Sequence, residues 1–318
     1  MTKLLAMFPG QGSQYVGMGK SIVENFSYAG DVFERAEDTL KLNLRKLCFE
    51  GPESDLKLTA NTQPTILTCS VATHEVLKKE TGFKPDLFAG HSLGEYSALV
   101  AAGKLSLEEA VKLVRVRGEQ MQIAVPAGKG AMSAVLNFDK TRLETTCQEV
   151  TQELLKNSED AMAASVEIAN YNSEKQLIIS GGAQAVARVG EILTEEKVKV
   201  VALPVSAPFH SKLMKPARDA MEPLLKDTLL NTNEHLMIPN ITAEVSSEYS
   251  VDNLIEQIDG PVLWMQSMES AVSEGATKFV EVGPGKVLFG LARRAVPKGS
   301  LVMSSDDITA AVKTLSES

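Results

Sequence analysis

The chain has 318 residues, 44% of them hydrophobic and 23% charged, enough to bury a large core and make one big domain plus a smaller one. Its 32 basic residues against 41 acidic ones leave a net charge of −9, which argues against a general nucleic-acid binder, since that needs a basic footprint. The three cysteines (Cys48, Cys69, Cys147) are odd in number and far apart, fit neither a disulfide framework nor a zinc site, and point to a reducing compartment. No signal-peptide pattern follows Met1, and no apolar run approaches the roughly 20 residues of a membrane helix. The expectation is a cytoplasmic protein, or one already stripped of a transit peptide, that binds neither membrane nor nucleic acid; a monomer is the default that no sequence feature decides.

Leu4–Phe8 reads as a buried strand ended by Pro9-Gly10. The loop Gly10-Gln11-Gly12-Ser13-Gln14 has its third glycine at the wrong offset for a dinucleotide site and reads better as a backbone-exposing loop beside an active site. Residues 21–49 and 61–81 are predicted helices, the second opened by Asn61, Thr62 and Pro64 and closed by Gly82. Asp86–Ala89 suits a buried strand end, Glu95–Ala102 a helix stopped by Gly103, and Ser106 caps a helix from Leu107 to about Ile123. Pro126–Gly130 is punctuation and marks a domain boundary.

Beyond it the pattern is strand (131–136), helix (139–156), strand (165–171), strand (176–180), helix (183–196) and strand (198–203), the ferredoxin-like order. Residues 127–203 would therefore form a small subdomain interrupting a large α/β domain made of 1–126 and 204–318. A helix (210–226), a strand near 241–245, a helix (262–274) and a strand (278–282) running into Gly283-Pro284-Gly285 complete the pattern.

Gly90-His91-Ser92-Leu93-Gly94 is G-x-S-x-G between a strand and a helix, the setting in which a sharp turn lifts a serine hydroxyl clear of the backbone. The bland alternative is a glycine-bracketed turn with an idle serine. A nucleophilic serine needs a base. Of the four histidines, His74 reads as core, His91 as structural and His235 as part of a polar run. His210 follows Val205-Ser206-Ala207-Pro208-Phe209 at a strand end and is favoured. No convincing triad acid lies between Ser92 and His210, because Asp139 reads as a helix cap; a backbone carbonyl can orient the base instead. In the 107–123 helix, Arg117 falls in the middle of a stripe of Ala110, Leu113, Val114 and Met121, while Arg115 lies on the polar face. A guanidinium there needs an anion, either an internal carboxylate or a substrate carboxylate gripped by two parallel hydrogen bonds.

Taken together, these residues resemble the malonyl-CoA:acyl-carrier-protein transacylase family nearly end to end. The shared stretches are F-P-G-Q-G-S-Q at 8–14, T-Q-P at 62–64, G-H-S-L-G-E-Y-S-A-L at 90–99, R-G-x-x-M at 117–121 and G-A-M at 130–132. They continue with N-x-N-S at 170–173, P-V-S-A-P-F-H at 204–210, L-M-K-P at 213–216, P-V-x-W at 261–264 and E-V-G-P-G-K-V-L at 281–288. The resemblance implies an α/β-hydrolase-like large domain with a central, mostly parallel sheet and a ferredoxin-like small subdomain. It implies malonyl transfer from malonyl-CoA to the phosphopantetheine thiol of acyl carrier protein, through an ester on Ser92 with His210 as base. Backbone N–H groups of Gln11 and Leu93 would form the oxyanion hole, Arg117 would hold the malonyl carboxylate, and the carbonyl of Leu263 would orient His210. Gln63, Asn170, Asn172 and Phe209 would line the cleft, with Phe209 crowding an α-methyl branch. No cofactor or metal is implied, because CoA thioester and carried phosphopantetheine are substrates. The alternatives are a trans-acting acyltransferase of a polyketide or polyunsaturated-lipid synthase, a serine hydrolase of esterase type, and a non-catalytic acyl-CoA-binding module.

Overall fold

The computed structural model describes residues 2–157, 160–205 and 207–317; Ser206, inside the P-V-S-A-P-F-H stretch, lies outside them. Nine strands are found among the described residues: β1 (Lys3–Phe8), β2 (Leu87–Gly90), β3 (Gly130–Leu136), β4 (Val166–Ser173), β5 (Gln176–Gly182), β6 (Lys199–Ala202), β7 (Leu236–Ile238), β8 (Ala276–Glu281) and β9 (Leu301–Ser304). They form a parallel sheet in the order β7-β2-β1-β8-β9 and an antiparallel sheet in the order β4-β5-β3-β6. The chain divides into two compact units, the first made of Met1–Gly118, Asp227–Ser250 and Ser267–Ser318, the second of Glu119–Lys226 and Val251–Gln266.

In the first unit β1 buries Leu5 through Phe8 completely, as a parallel strand covered on both faces must. Phe8 pairs with Gly90, so the loops after β1 and β2 leave the same edge of the sheet side by side. That carboxyl edge is where open α/β sheets collect their ligands. The predicted 21–49 helix is instead three helices, Lys20–Asn25, Ser27–Leu40 and Leu44–Glu50. Phe26 is extended and Lys41 left-handed (φ 53°), and the Asn43 side chain caps the third helix by accepting from the Lys46 N–H. No strand forms at 241–245; β7 comes earlier, and the following segment turns at Ala243 with φ 56°. The helices Val287–Ala295 and Ile308–Ser316 and the strand β9 have no counterpart in the sequence reading.

The second unit contains the expected strand-helix-strand-strand-helix-strand run, with helices Lys140–Asn157 and Ala183–Glu195. Its first strand, β3, lies between its third and fourth, the ferredoxin-like pairing. Leu143, Val150, Val189 and Leu193 from the helices pack with Val135, Ile168, Leu177 and Ile179 from the sheet. Asp139 is a cap, accepting from the Arg142 N–H at 2.8 Å. The unit exceeds the 127–203 insert because later chain adheres to it. Val262 exchanges backbone bonds with β4, its N–H donating to Ala169 O (2.8 Å) and its carbonyl accepting from Tyr171 N–H (2.9 Å). Among the described residues no helix is long and apolar enough to cross a membrane.

Candidate active site

The elbow forms as its glycines require. A Cβ on Gly90 would lie 1.9 Å from the Gly94 carbonyl carbon, and one on Gly94 would lie 2.0 Å from Phe8 O. Only bare backbone lets the turn fold so tightly against β1. Ser92 sits at φ 52°, a left-handed conformation held by its surroundings, and the helix Gly94–Ala101 leaves directly behind it.

Arg117 is 1% exposed, and Ala110, Leu113, Val114 and Met121 are buried with it. Its Nη2 donates to Ser92 Oγ at 3.1 Å and its Nη1 to Gln63 Oε1 at 2.9 Å, with its guanidinium 5.7 Å from the centre of the Tyr96 ring. Burial pulls its pKa below the ordinary arginine value, partly offset by Tyr96 and Glu95. Gln63 therefore serves Arg117 directly, a more specific place than general lining. The T-Q-P motif explains how the two helices meet. Pro64 lacks the N–H that would satisfy Ala60 O within the Thr59–Thr81 helix. Arg115 Nη1 donates to that carbonyl at 3.1 Å and to Asn61 Oδ1 at 2.7 Å. Arg115 is thus a helix-to-helix tie, not the solvated residue that periodicity suggests. Beside it Gly118 meets the backbone of Thr59 and Ala60 so closely that a Cβ would lie 2.7 Å from Thr59 O.

The loop after β1 approaches the elbow as well: a Cβ on Gly10 would stand 2.3 Å from His91 O. The Gln11 side chain reaches Thr59 Oγ1 at 3.5 Å. Among the described residues neither the Gln11 nor the Leu93 backbone N–H is taken up by an acceptor, as a pair of oxyanion donors requires. Sequence reading missed Asn240, whose side chain accepts from Ser92 N–H at 2.6 Å and donates to Gly90 O at 2.5 Å. Nothing around Pro239-Asn240 in the sequence signals it.

In the second unit His210 is buried and also left-handed, at φ 56°. It precedes a short 3₁₀ turn (Lys212–Met214) and the helix Lys215–Lys226, so it stands ahead of the helix it was expected to open. Its Nδ1 lies 2.9 Å from Gln257 O and 3.1 Å from Gly260 O. Carbonyl oxygens only accept, so Nδ1 carries a proton, and in the neutral ring the lone pair is then on Nε2. Both carbonyls lie shortly before Leu263, the residue whose carbonyl was expected to orient the ring, and both serve His210. Gln257 ends the helix Val251–Gln257, where the last carbonyls have no helical partner, and Val262 holds the P-V-L-W segment to β4.

Arg218 Nη1 reaches Asp259 Oδ1 at 3.1 Å inside the same turn, and Glu167 Oε1 accepts from Lys212 N–H at 2.7 Å. Burial raises the Glu167 carboxyl above its ordinary value. The G-A-M motif belongs here too, since a Cβ on Gly130 would strike Pro208 Cδ at 2.3 Å. Phe209 is buried next to His210. Asn170 and Asn172 are buried on β4, with Asn172 Nδ2 donating to Gln176 Oε1 at 3.1 Å.

Ser92, Arg117, Gln63, Gln11 and Leu93 thus belong to the first unit, and His210, Phe209, Leu263, Asn170 and Asn172 to the second. Among the described residues no group of three or more His, Cys, Asp or Glu side chains is placed to hold a metal ion.

Residues 7–311 match the acyl transferase domain family. The chain is 43% identical over 322 residues to a malonyl CoA-acyl carrier protein transacylase of Bacillus subtilis (strain 168), covering 100% of this chain and 98% of that protein. A protein of the same name from Escherichia coli (strain K12) is 38% identical over 93% of this chain and 94% of its own length. Among solved structures, FabD from Acinetobacter baumannii superposes with a TM-score of 0.91 at 39% identity, covering 99% of this chain and 98% of that one. A malonyl-transacylase solved in complex with a type II PKS acyl-carrier protein has a TM-score of 0.91 at 36% identity, covering 99% of each. The chain belongs to the acyl transferase domain family and, within it, to the malonyl-CoA:acyl-carrier-protein transacylases.

Proposed function

We propose that this chain moves the malonyl group from malonyl-CoA to the phosphopantetheine thiol of an acyl carrier protein through a malonyl ester on Ser92. One observation carries the reading: a desolvated guanidinium, Arg117, lies 3.1 Å from the candidate nucleophile's oxygen. A cation at that place grips a substrate bearing a carboxylate and aims its thioester carbonyl at Ser92.

His210 Nε2 takes the hydroxyl proton as Ser92 Oγ attacks the thioester carbonyl. The N–H groups of Gln11 and Leu93 meet the oxyanion that forms, donors worth on the order of 3 kcal/mol each. Collapse breaks the carbon–sulfur bond, and the departing CoA sulfur takes the proton from His210. The second half runs in reverse with the carrier thiol: His210 takes the thiol proton, sulfur attacks the ester, and Ser92 leaves with that proton. The carbonyls of Gln257 and Gly260 hold the imidazole in the required tautomer. This replaces a triad acid and argues against a hydrolase of esterase type. Acyl exchange between thiols calls for no cofactor or metal. The Phe209 ring favours malonyl over methylmalonyl.

We place the protein in the cytoplasm as a monomer serving fatty acid synthesis. A carrier from a polyketide assembly is the second reading, favoured by the similarity to a transacylase solved with a type II PKS carrier protein. Arg117→Ala tests the function. The variant should lose about 100-fold in malonyl transfer, the worth of a charge-assisted pair, while acetyl transfer holds. Equal losses for both acyl groups would make Arg117 structural and remove the reading's support.

A further inference from the structure

We propose that Asn240, fixed in place by Glu95 and Tyr249, is a positioning residue that holds Ser92 in its reactive left-handed conformation and leaves the Leu93 N–H as the elbow's open donor. The inference rests on the reading of Ser92 as nucleophile. Asn240 is 1% exposed, and both ends of its amide are used, on opposite sides of the elbow. Oδ1 accepts from Ser92 N–H at 2.6 Å, and Nδ2 donates to Gly90 O at 2.5 Å. No other common side chain of that length offers an acceptor and a donor from one planar group.

The amides of the turn show what this does. His91 N–H donates to Phe8 O, Gly94 N–H to His91 O and Glu95 N–H to Ser92 O. Ser92 N–H, turned away from the strand ladder by φ 52°, is taken by Asn240. Among the described residues Leu93 N–H alone of these five is left without an acceptor. An untethered Ser92 amide would be a competing donor, and the turn would be free to relax out of a conformation that non-glycine residues avoid.

The clamp is itself clamped. Glu95 is fully buried in the first turn of the elbow helix; its Oε2 accepts from Asn240 N–H at 3.1 Å and its Oε1 from Tyr249 O–H at 2.6 Å. Burial and Glu95 raise the Tyr249 pKa well above the ordinary value, keeping the phenol a donor. Lys104 Nζ binds Asn233 O at 3.0 Å and Ser247 O at 2.7 Å, pinning the segment on both sides of Asn240.

The experiment measures two rates on Asn240→Ala, Asn240→Asp, Tyr249→Phe and the unaltered chain. One is malonyl loading from malonyl-CoA, and the other is covalent modification of Ser92 by phenylmethylsulfonyl fluoride, which needs a competent serine but no malonyl chemistry. Asn240→Ala should slow both by about 100-fold, the cost of misplacing a reacting group by about an ångström, with malonyl-CoA affinity within about twofold. Tyr249→Phe should slow both by a smaller factor.

Asn240→Asp supplies a readout that simple destabilisation does not move. A protonated carboxyl restores both hydrogen bonds, while the ionised form faces Gly90 O and the acidic Glu95. Its rate relative to the unaltered chain should therefore rise as pH falls from 8 to 5.5, against a flat ratio for Asn240→Ala. If Asn240→Ala does not fold, the Asn240→Asp ratio decides. Unaltered sulfonylation rates in Asn240→Ala, or a flat ratio in Asn240→Asp, would overturn the proposal. An unaltered chain that reacts with the sulfonyl fluoride but not with malonyl-CoA would instead overturn the transferase reading.

Discussion

The two units hold their chemically important residues by different means. Ser92 is surrounded by side chains delivered from distant parts of the chain: Asn240, 148 residues away, Arg117, 25 away, and Gln63 through Arg117. His210 is oriented by main-chain carbonyls, those of Gln257 and Gly260. The serine side is thus open to change at many positions, whereas a carbonyl survives most substitutions of the residue that bears it. In the second unit the vulnerable point is the histidine itself.

The largest expected effect follows from that contrast. His210→Ala removes the only group in its unit proposed to move a proton, and malonyl loading should fall by about 10²–10⁴-fold. A rapid-quench measurement showing less than tenfold loss would mean that another base serves Ser92.

The first unit's dependence on side chains extends to its stability. Glu281 is fully buried and caps the helix Val287–Ala295, Oε1 accepting from Leu288 N–H at 3.0 Å and Oε2 from Phe289 N–H at 2.8 Å. Burial pushes its carboxyl up to about 7, against the downward pull of those amides. A folded pKa above the unfolded value of 4.5 gives stability that is present below pH 4.5 and lost as pH rises through about 7. Glu281→Gln should destabilise the fold by about 1–3 kcal/mol, because an amide NH₂ would face a backbone donor. It should also flatten this stretch of the stability profile. Denaturant unfolding across that range checks both, and parallel profiles for the two proteins would refute the titration.

The smallest effect belongs to the second unit. Arg218 pairs with Asp259 in the turn that carries the orienting carbonyls, and the Arg218 side chain is 35% exposed. Arg218→Ala should cost about 0.5 kcal/mol, roughly a twofold loss in loading, as partly exposed ion pairs do. A loss above about tenfold would show that side chains hold the histidine after all.

The same contrast explains what the sequence made legible. The elbow is a local pattern whose glycines are forced by contacts under 2.5 Å, so five residues announced it. Arg117 was legible because a charge in an apolar stripe violates helical periodicity. The ferredoxin-like order followed from alternating strand and helix patterns.

Asn240 was not legible, because one asparagine in a turn looks like every other until the chain brings it back to the serine. The carbonyls of Gln257 and Gly260 were illegible for a deeper reason: backbone groups carry no residue signature. Arg115 was misread because periodicity knows nothing of the carbonyl that Pro64 leaves open.

The central claim, that Ser92 is a shuttle and not a site of hydrolysis, is tested by loading the protein with radiolabelled malonyl-CoA, isolating it, and chasing with carrier protein or with buffer. The label should reside on Ser92, persist in buffer and leave as malonyl-carrier on the chase. Label released as free malonate at the same rate with and without carrier, or label retained by Ser92→Ala, would contradict it.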